Sequence, residues 1–421
     1  MRVVLYNRAM NQRKGIRRKI LMGCLLAAAF FAAITAQARL SPLAEAPDWA
    51  QLYIYQRTIT REDFLTLLNR NYAPNNAARG LITVNRDRAR ILTTLGGNVY
   101  YDLYFADSRT SAQPLLEYWR PVRPGNLKGK KIALDPGHIG GKYAKMEERW
   151  FKVGDSTPVM EGEMTLIVAK KIAKQLKALG ADVEWVRSKN KPLTRERPSQ
   201  LENVAESSLQ DKKTPGIHLD YFGPSDPLKT SSIQWEAERL FYRVSEIRAR
   251  AVRNNERLQP DLTICLHFNA EEWGDPSDPK LVRQNHLHFL VNGRYSAQEL
   301  QYDDIRFEML RKLLSRALSE EIPLANRLAK QMAEETGLPP YRYKTSNARR
   351  VDSSRYVWSR NLLANRLYQN PTVYVEPYVM NNKEVFDRIQ MGDYKGTRLV
   401  NGVPRKSIFQ EYADAVVNGL R

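Results

Sequence analysis

Two short apolar runs in this 421-residue chain stop at a histidine: Ile132-Ala-Leu-Asp-Pro-Gly-His138 and Leu262-Thr-Ile-Cys-Leu-His267. An apolar strand ending in a metal-capable side chain is how open α/β sheets present chemistry at their carboxyl edge, so the pair points to a bound metal. A catalytic zinc site needs three protein ligands drawn from His, Glu, Asp and Cys, with one position left open for water. A lone histidine is more often structural, but two at equivalent strand ends support each other. The third ligand is expected near the start of the helix after the first strand, where Glu161 and Glu163 both precede Met164. Either would also suit a helix N-terminus through its charge alone. Glu376 ends the apolar run Pro371-Thr-Val-Tyr-Val375, where an acid is costly to bury unless it faces a cation or a substrate. Beside a metal-activated water, such a carboxylate is the general base that hydrolysis requires.

These residues need a sheet to hold them. From Lys130 onward the pattern alternates strand, loop and helix, which predicts an α/β domain with an open mixed, largely parallel sheet flanked by helices. Predicted strands are 131–134, 183–186, 262–266, 287–291 and 372–375. Between the first two, Met164, Ile167, Val168, Ile172, Leu176 and Leu179 recur at helical spacing, lysines occupy the opposite face, and Gly180 suits the helix end. Residues 199–234 read as a long loop, and loops of that length are uncommon unless they act as lids or binding loops. A second insertion, near 295–320, and residues 324–335 have helical spacing. His286 and His288 share one face of a strand and read as a partly exposed structural pair, while His218 falls in the long loop without a role. Residues 39–125 form a small α+β module, with strands expected at 52–55, 82–84, 89–93 and 99–105 and a helix at 61–68 opened by Thr60. No chemistry is evident in it.

The N-terminus reads as a secretory signal. Arg13, Lys14, Arg17, Arg18 and Lys19 precede the apolar stretch Ile20 to Ile34, and Ala36-Gln37-Ala38 is a small-x-small cleavage site. The apolar run is shorter than the roughly 20 residues a membrane anchor needs. Removal of residues 1–38 takes Cys24 with it and leaves Cys265 as the one cysteine, excluding an intrachain disulfide. Those residues also carry seven Lys or Arg and no acid, so +13 of the +20 formal charge remains. A surface this basic attracts polyanions. For an exported protein that lacks nucleic-acid-binding motifs, an anionic envelope surface is the expected partner and nucleic acid is not.

Four segments, in chain order, resemble the motifs of the zinc-dependent N-acetylmuramoyl-L-alanine amidases of cell-wall remodelling: Ala133-Leu-Asp-Pro-Gly-His138, Glu161-Gly-Glu-Met-Thr-Leu-Ile-Val-Ala-Lys-Lys-Ile172, Leu262 to Ala270, and Val373-Tyr-Val-Glu376. The likeness runs from about Lys130 to the C-terminus and is interrupted by the two insertions, making 126–421 the catalytic domain. The resemblance implies that His138, Glu161 and His267 bind zinc, with Glu161 preferred to Glu163 because Leu166, Val168, Ala169 and Ile172 then fall into the family's helix pattern. It implies Glu376 as the catalytic carboxylate, peptidoglycan as substrate, and cleavage of the amide between N-acetylmuramic acid and L-alanine. Asn269 would orient a ligand. A periplasmic destination follows from the signal and this substrate together. The family's arginine and asparagine region is matched loosely by Arg250 to Asn255, with a one-residue shift and no catalytic role. Residues 139–151 depart from the family's glycine-rich run, being longer and more charged, which bears on how the substrate peptide is held. Two other readings share these residues: a zinc peptidase cutting inside the stem peptide, and a non-catalytic peptidoglycan-binding regulator. The regulator predicts loss of at least one of the four polar residues, and all four are present. The insertion at 199–234 is expected to restrain activity as a lid that a protein activator moves.

Overall fold

A computed structural model describes residues 38–351 and 353–421. The expected export signal lies outside the described residues apart from Ala38. Among the described residues no helix is long and apolar enough to cross a membrane.

The strands are β1 (Ile82–Val84), β2 (Arg88–Leu92), β3 (Tyr100–Tyr104), β4 (Lys131–Pro136), β5 (Trp150–Phe151), β6 (Val159–Met160), β7 (Asp182–Trp185), β8 (Leu262–Leu266), β9 (Leu287–Val291), β10 (Ala348–Arg350), β11 (Val357–Arg360), β12 (Thr372–Pro377), β13 (Arg398–Val400) and β14 (Val403–Arg405). Seven of them form one sheet in the order β10-β11-β9-β12-β8-β4-β7. Its pairs are parallel except β12 with β9 and β10 with β11. Helices cover both faces, so β8 and β9 are buried at every residue, as strands of a doubly covered sheet must be. This is the predicted mixed, largely parallel architecture.

The helices are α1 (Arg61–Leu67), α2 (Glu161–Ala178), α3 (Glu202–Asp211), α4 (the run 233–258), α5 (Asp303–Leu314), α6 (Leu318–Thr336), α7 (Leu363–Leu367), α8 (Lys383–Gln390) and α9 (Ile408–Leu420). α2 buries Met164, Val168, Ile172 and Leu176, the stripe predicted from spacing, and packs with α9. α4 alternates α-helical segments, Ile233–Arg239 and Glu246–Val252, with π-helical turns at Leu240–Ser245 and Arg253–Leu258. The predicted long loop is therefore helical in part: α3 lies within it and α4 begins before it ends.

The module before the sheet has the three-stranded order β1-β2-β3. Its expected first strand, 52–55, is instead the end of a 3₁₀ helix, Trp49–Tyr55, capped by the Asp48 side chain, which accepts the Ala50 N–H. A short apolar run has no period of its own, so the cap decides the conformation here. The module's apolar residues Leu52, Phe64, Tyr72, Ile91 and Leu103 belong to the same continuous core as Met309 and Leu313 of α5. Arg306 of α5, fully buried, donates from Nε to the Leu92 carbonyl at 2.8 Å.

Candidate active site

β4 and β8 run parallel and adjacent, with Pro136 opposite Leu266, so the turns that follow them emerge side by side. Gly137 is required there: a Cβ at this position would overlap the His267 ring. His138 then adopts φ 57°, a left-handed conformation that L-residues seldom take. Several groups hold it. Arg250 Nη2 donates to the His138 carbonyl at 2.9 Å, and the Glu147 carboxylate accepts the N–H groups of Ile139 at 2.8 Å and Gly140 at 2.9 Å. Arg187, buried without a carboxylate on its guanidinium, donates to the carbonyls of Pro136 at 3.1 Å and Gly137 at 3.2 Å, and to Gly162 in the first turn of α2 at 2.9 Å. Two buried arginines thus hold the turn, both donating to the Pro136 carbonyl.

Glu161 is the first residue of α2 and is buried. Its Oε2 lies 3.2 Å from His138 Nε2, and its Oε1 lies 3.0 Å from His267 Nδ1 and accepts the Phe268 N–H at 3.1 Å. One ligand-capable atom from each of His138, Glu161 and His267 falls within 4.8 Å of the others. Although Arg149 Nε is 3.1 Å away, Oε2 is a buried oxygen that accepts no hydrogen bond, as suits a lone pair reserved for a cation. Two imidazoles and a carboxylate are a donor set of catalytic zinc sites, so the residues fit that metal. Burial opposes ionisation of Glu161, yet His138 and His267 hold its carboxyl well below the usual range. Glu163, the other candidate, is not part of this cluster.

Glu376 lies at the end of β12, directly across from His288 on β9. Burial pushes its carboxyl up to about 7, and neighbouring Glu161 adds to the rise while His267 opposes it. That value is suited to taking and returning a proton near neutrality. Tyr412 of α9 places its hydroxyl 3.1 Å from the His267 carbonyl and 3.0 Å from that of Val375, tying the ends of β8 and β12 together. The His267 ring stacks on Tyr374 at 5.3 Å.

All four residues line one cleft of about 480 Å³, shared with Glu147, Arg149, Tyr242, Arg243, His288 and Tyr343. No residue of 199–234 lines it; α4 supplies Tyr242, Arg243, Ile247 and Arg250 instead. The insertion reaches the charged loop from outside, Lys229 pairing with Glu148 at 2.9 Å. His286 and His288 are buried rather than partly exposed, because Tyr341 packs over both rings at 4.5 and 4.9 Å. Cys265 is a buried free thiol, as expected of a small apolar side chain inside a strand.

Sequence reasoning missed Glu147, Arg187 and Arg250 as the groups that shape the His138 turn. The charge of residues 139–151 was a signal for the first. Arg250 pairs with Asp135 at 2.9 Å and Glu246 at 2.8 Å, and only the second partner is near it in sequence.

No curated protein gives a significant match to this chain. Among solved structures, the N-acetylmuramyl-L-alanine amidase Ami1 of Mycobacterium smegmatis is similar at 16% identity and a TM-score of 0.35, covering 70% of this chain and 96% of that one. The N-acetylmuramoyl-L-alanine amidase AmiC2 of Nostoc punctiforme matches at 14% identity and a TM-score of 0.36, covering 70% and 96%. The CwlD amidase of Clostridioides difficile, solved with the GerS lipoprotein, matches at 14% identity and a TM-score of 0.36, covering 69% and 96%. The family model for N-acetylmuramoyl-L-alanine amidase matches residues 132–403, well over half the chain and reaching from the strand before His138 to beyond Glu376, so this chain belongs to that family.

Proposed function

We propose that this protein hydrolyses the amide bond between N-acetylmuramic acid and L-alanine in peptidoglycan, with His138, Glu161 and His267 as zinc ligands and Glu376 as general base. The observation that carries this is the convergence of the three donors within 4.8 Å in a cleft that Glu376 also lines. A zinc ion held there supplies Lewis acidity to the scissile carbonyl and to water. Glu376 takes the water proton and delivers it to the departing amine of L-alanine, a transfer matched to a carboxyl near pH 7. Glu147, Arg187 and Arg250 keep the His138 backbone in place while this happens. A polymeric substrate outside the cytoplasm accords with the basic, signal-bearing sequence and implies periplasmic action, with residues 126–421 as catalytic domain and 39–125 as its support.

The test is digestion of purified sacculi with and without chelator, with zinc restored, and identification of the new amino termini. Release of L-alanine amines that is lost on chelation and regained with zinc is expected. Amines of other stem residues would reassign the protein as a stem peptidase.

A further inference from the structure

Beyond the metal-binding edge the cleft continues along one sheet face, past Leu290 and Tyr374 to Arg360. Alternate residues of a strand share a face, so Trp358 and Arg360, like His288 and Leu290, point to the same side. Tyr343 Oη lies 3.0 Å from His288 Nε2, and Arg360 Nη1 donates to that hydroxyl at 3.4 Å.

Asn269 fixes the direction of these bonds. Its Oδ1 accepts the Ala270 N–H at 2.8 Å, which turns Nδ2 toward His288 Nδ1 at 3.3 Å and His286 Nδ1 at 3.4 Å. Both Nδ1 atoms therefore accept, and each ring carries its proton on Nε2. His286 donates to Glu271 at 3.1 Å and His288 donates to Tyr343. Having accepted from His288 and Arg360, the Tyr343 hydroxyl has its own proton left to give, and it lines the cleft.

The arginines of the cleft divide by partner. Arg149 meets Glu161 at 3.1 Å, and Arg250 is tied to Asp135 and Glu246. Arg243, exposed on α4, donates to the Tyr242 hydroxyl at 3.2 Å. The guanidinium of half-buried Arg360 has Tyr343 as its one hydrogen-bond partner among the described residues, which leaves most of its N–H groups free. A guanidinium with open donors beside a phenolic O–H is a matched set for a carboxylate.

We propose that Arg360 and Tyr343 form a subsite for a free carboxylate of the substrate's stem peptide, close to the bond that is cut. Glu376 and His288 stand directly across neighbouring strands, roughly 5 Å apart at Cβ, and one hydrogen bond further reaches Tyr343. The subsite is thus separated from Glu376 by a strand pair, an imidazole and a hydrogen bond, which puts it past the L-alanine whose amide is cut, where the first free carboxylate of the stem is on its second residue. The proposal rests on the amide-hydrolase reading of this cleft.

Calorimetric titration of the zinc-loaded Glu376→Gln protein tests it. The probes are N-acetylmuramyl-L-alanyl-D-glutamate with its α-carboxylate free, and the same molecule with that group amidated. The free acid is expected to bind about 10-fold tighter, equivalent to losing one charge-assisted contact on amidation. Arg360→Gln equalises the two ligands, Arg360→Lys restores part of the preference, and Tyr343→Phe reduces it. Near-UV circular dichroism confirms that each variant is folded. Equal affinity for the two ligands, binding of neither, or a preference that survives Arg360→Gln and disappears with Arg243→Gln overturns the subsite. Product analysis on sacculi decides the amide-hydrolase reading separately, because the ratio of the two affinities does not depend on which bond is cut.

Discussion

His138 and His267 meet the Glu161 carboxylate at 3.2 and 3.0 Å, whereas His288, on the strand beside Glu376, and His286, just before that strand, meet the amide of Asn269 and the ring of Tyr341. His138, His267 and His288 line one cleft, with His286 behind His288, yet the surroundings of the two pairs drive them apart. Burial works against charge on His138, but Glu161 and Glu147 outweigh it and raise its pKa. At His288 burial is reinforced by His286 and Arg360, and the pKa falls to about 3. A histidine pair faced by a buried carboxylate offers a metal-capable donor set, and one faced by amides, phenols and a cation is a neutral hydrogen-bond relay.

The sharpest way to break this comparison is to remove one member of each pair. His138→Ala is expected to lose bound zinc and, with it, all but background activity, a fall of at least about 10³-fold. His288→Gln keeps the metal, measured by elemental analysis of the purified proteins. Zinc lost from both would erase the distinction.

Next in size is Glu376→Gln, which retains zinc and lowers kcat by about 10² to 10⁴-fold. In the parent protein kcat/KM should fall as pH drops through about 7, because Glu376 can accept a proton only while ionised. A pH profile flat from 8 to 5 would remove Glu376 as base.

Arg250→Met probes the framework that the His138–His267 pair has and the His286–His288 pair lacks. It strands the buried carboxylates of Asp135 and Glu246, a loss of about 3 to 5 kcal/mol in denaturant unfolding. A change under 1 kcal/mol would show that the framework is dispensable.

The smallest effect concerns pH and stability in chelated protein. His288, depressed when folded, favours the folded state above its unfolded pKa of about 6.5 and costs stability as pH falls below that value. His138, raised when folded, favours the folded state below the unfolded value and loses that contribution as pH rises through its folded pKa. Between pH 6.5 and 5, His288→Gln should therefore lessen acid destabilisation by about 1 to 2 kcal/mol, read from unfolding midpoints. An unchanged or steeper acid dependence in that variant would count against a neutral His288.

The half of the cleft that holds His138, Glu161 and His267 was legible because each of these residues sits at an element boundary, and boundaries leave local marks: five buried residues before His267, and a helix stripe that begins just after Glu161. The other half was not. Tyr343 lies in a segment without regular structure, and its neighbours His288 and Arg360 come from strands 55 and 17 residues away. Asp135 and Arg250 are separated by 115 residues, so neither betrays the other locally. Residues 52–55 were misassigned as a strand because apolar content alone does not choose between extended and helical backbone, and a single Asp48 cap on Trp49–Tyr55 did.

The π-helical turn at Leu240–Ser245 changes how many residues α4 spends in reaching Arg250. A turn closed from i to i+5 holds one residue more than an α-helical turn. The stretch Leu240–Ser245 therefore lengthens the chain while the helix runs on to deliver Arg250 against Asp135 and the His138 carbonyl. A bulge of this kind takes up one extra residue while the register on its far side stays intact. Excising one residue from Leu240–Ser245 should accordingly give a regular helix that still delivers Arg250 to Asp135.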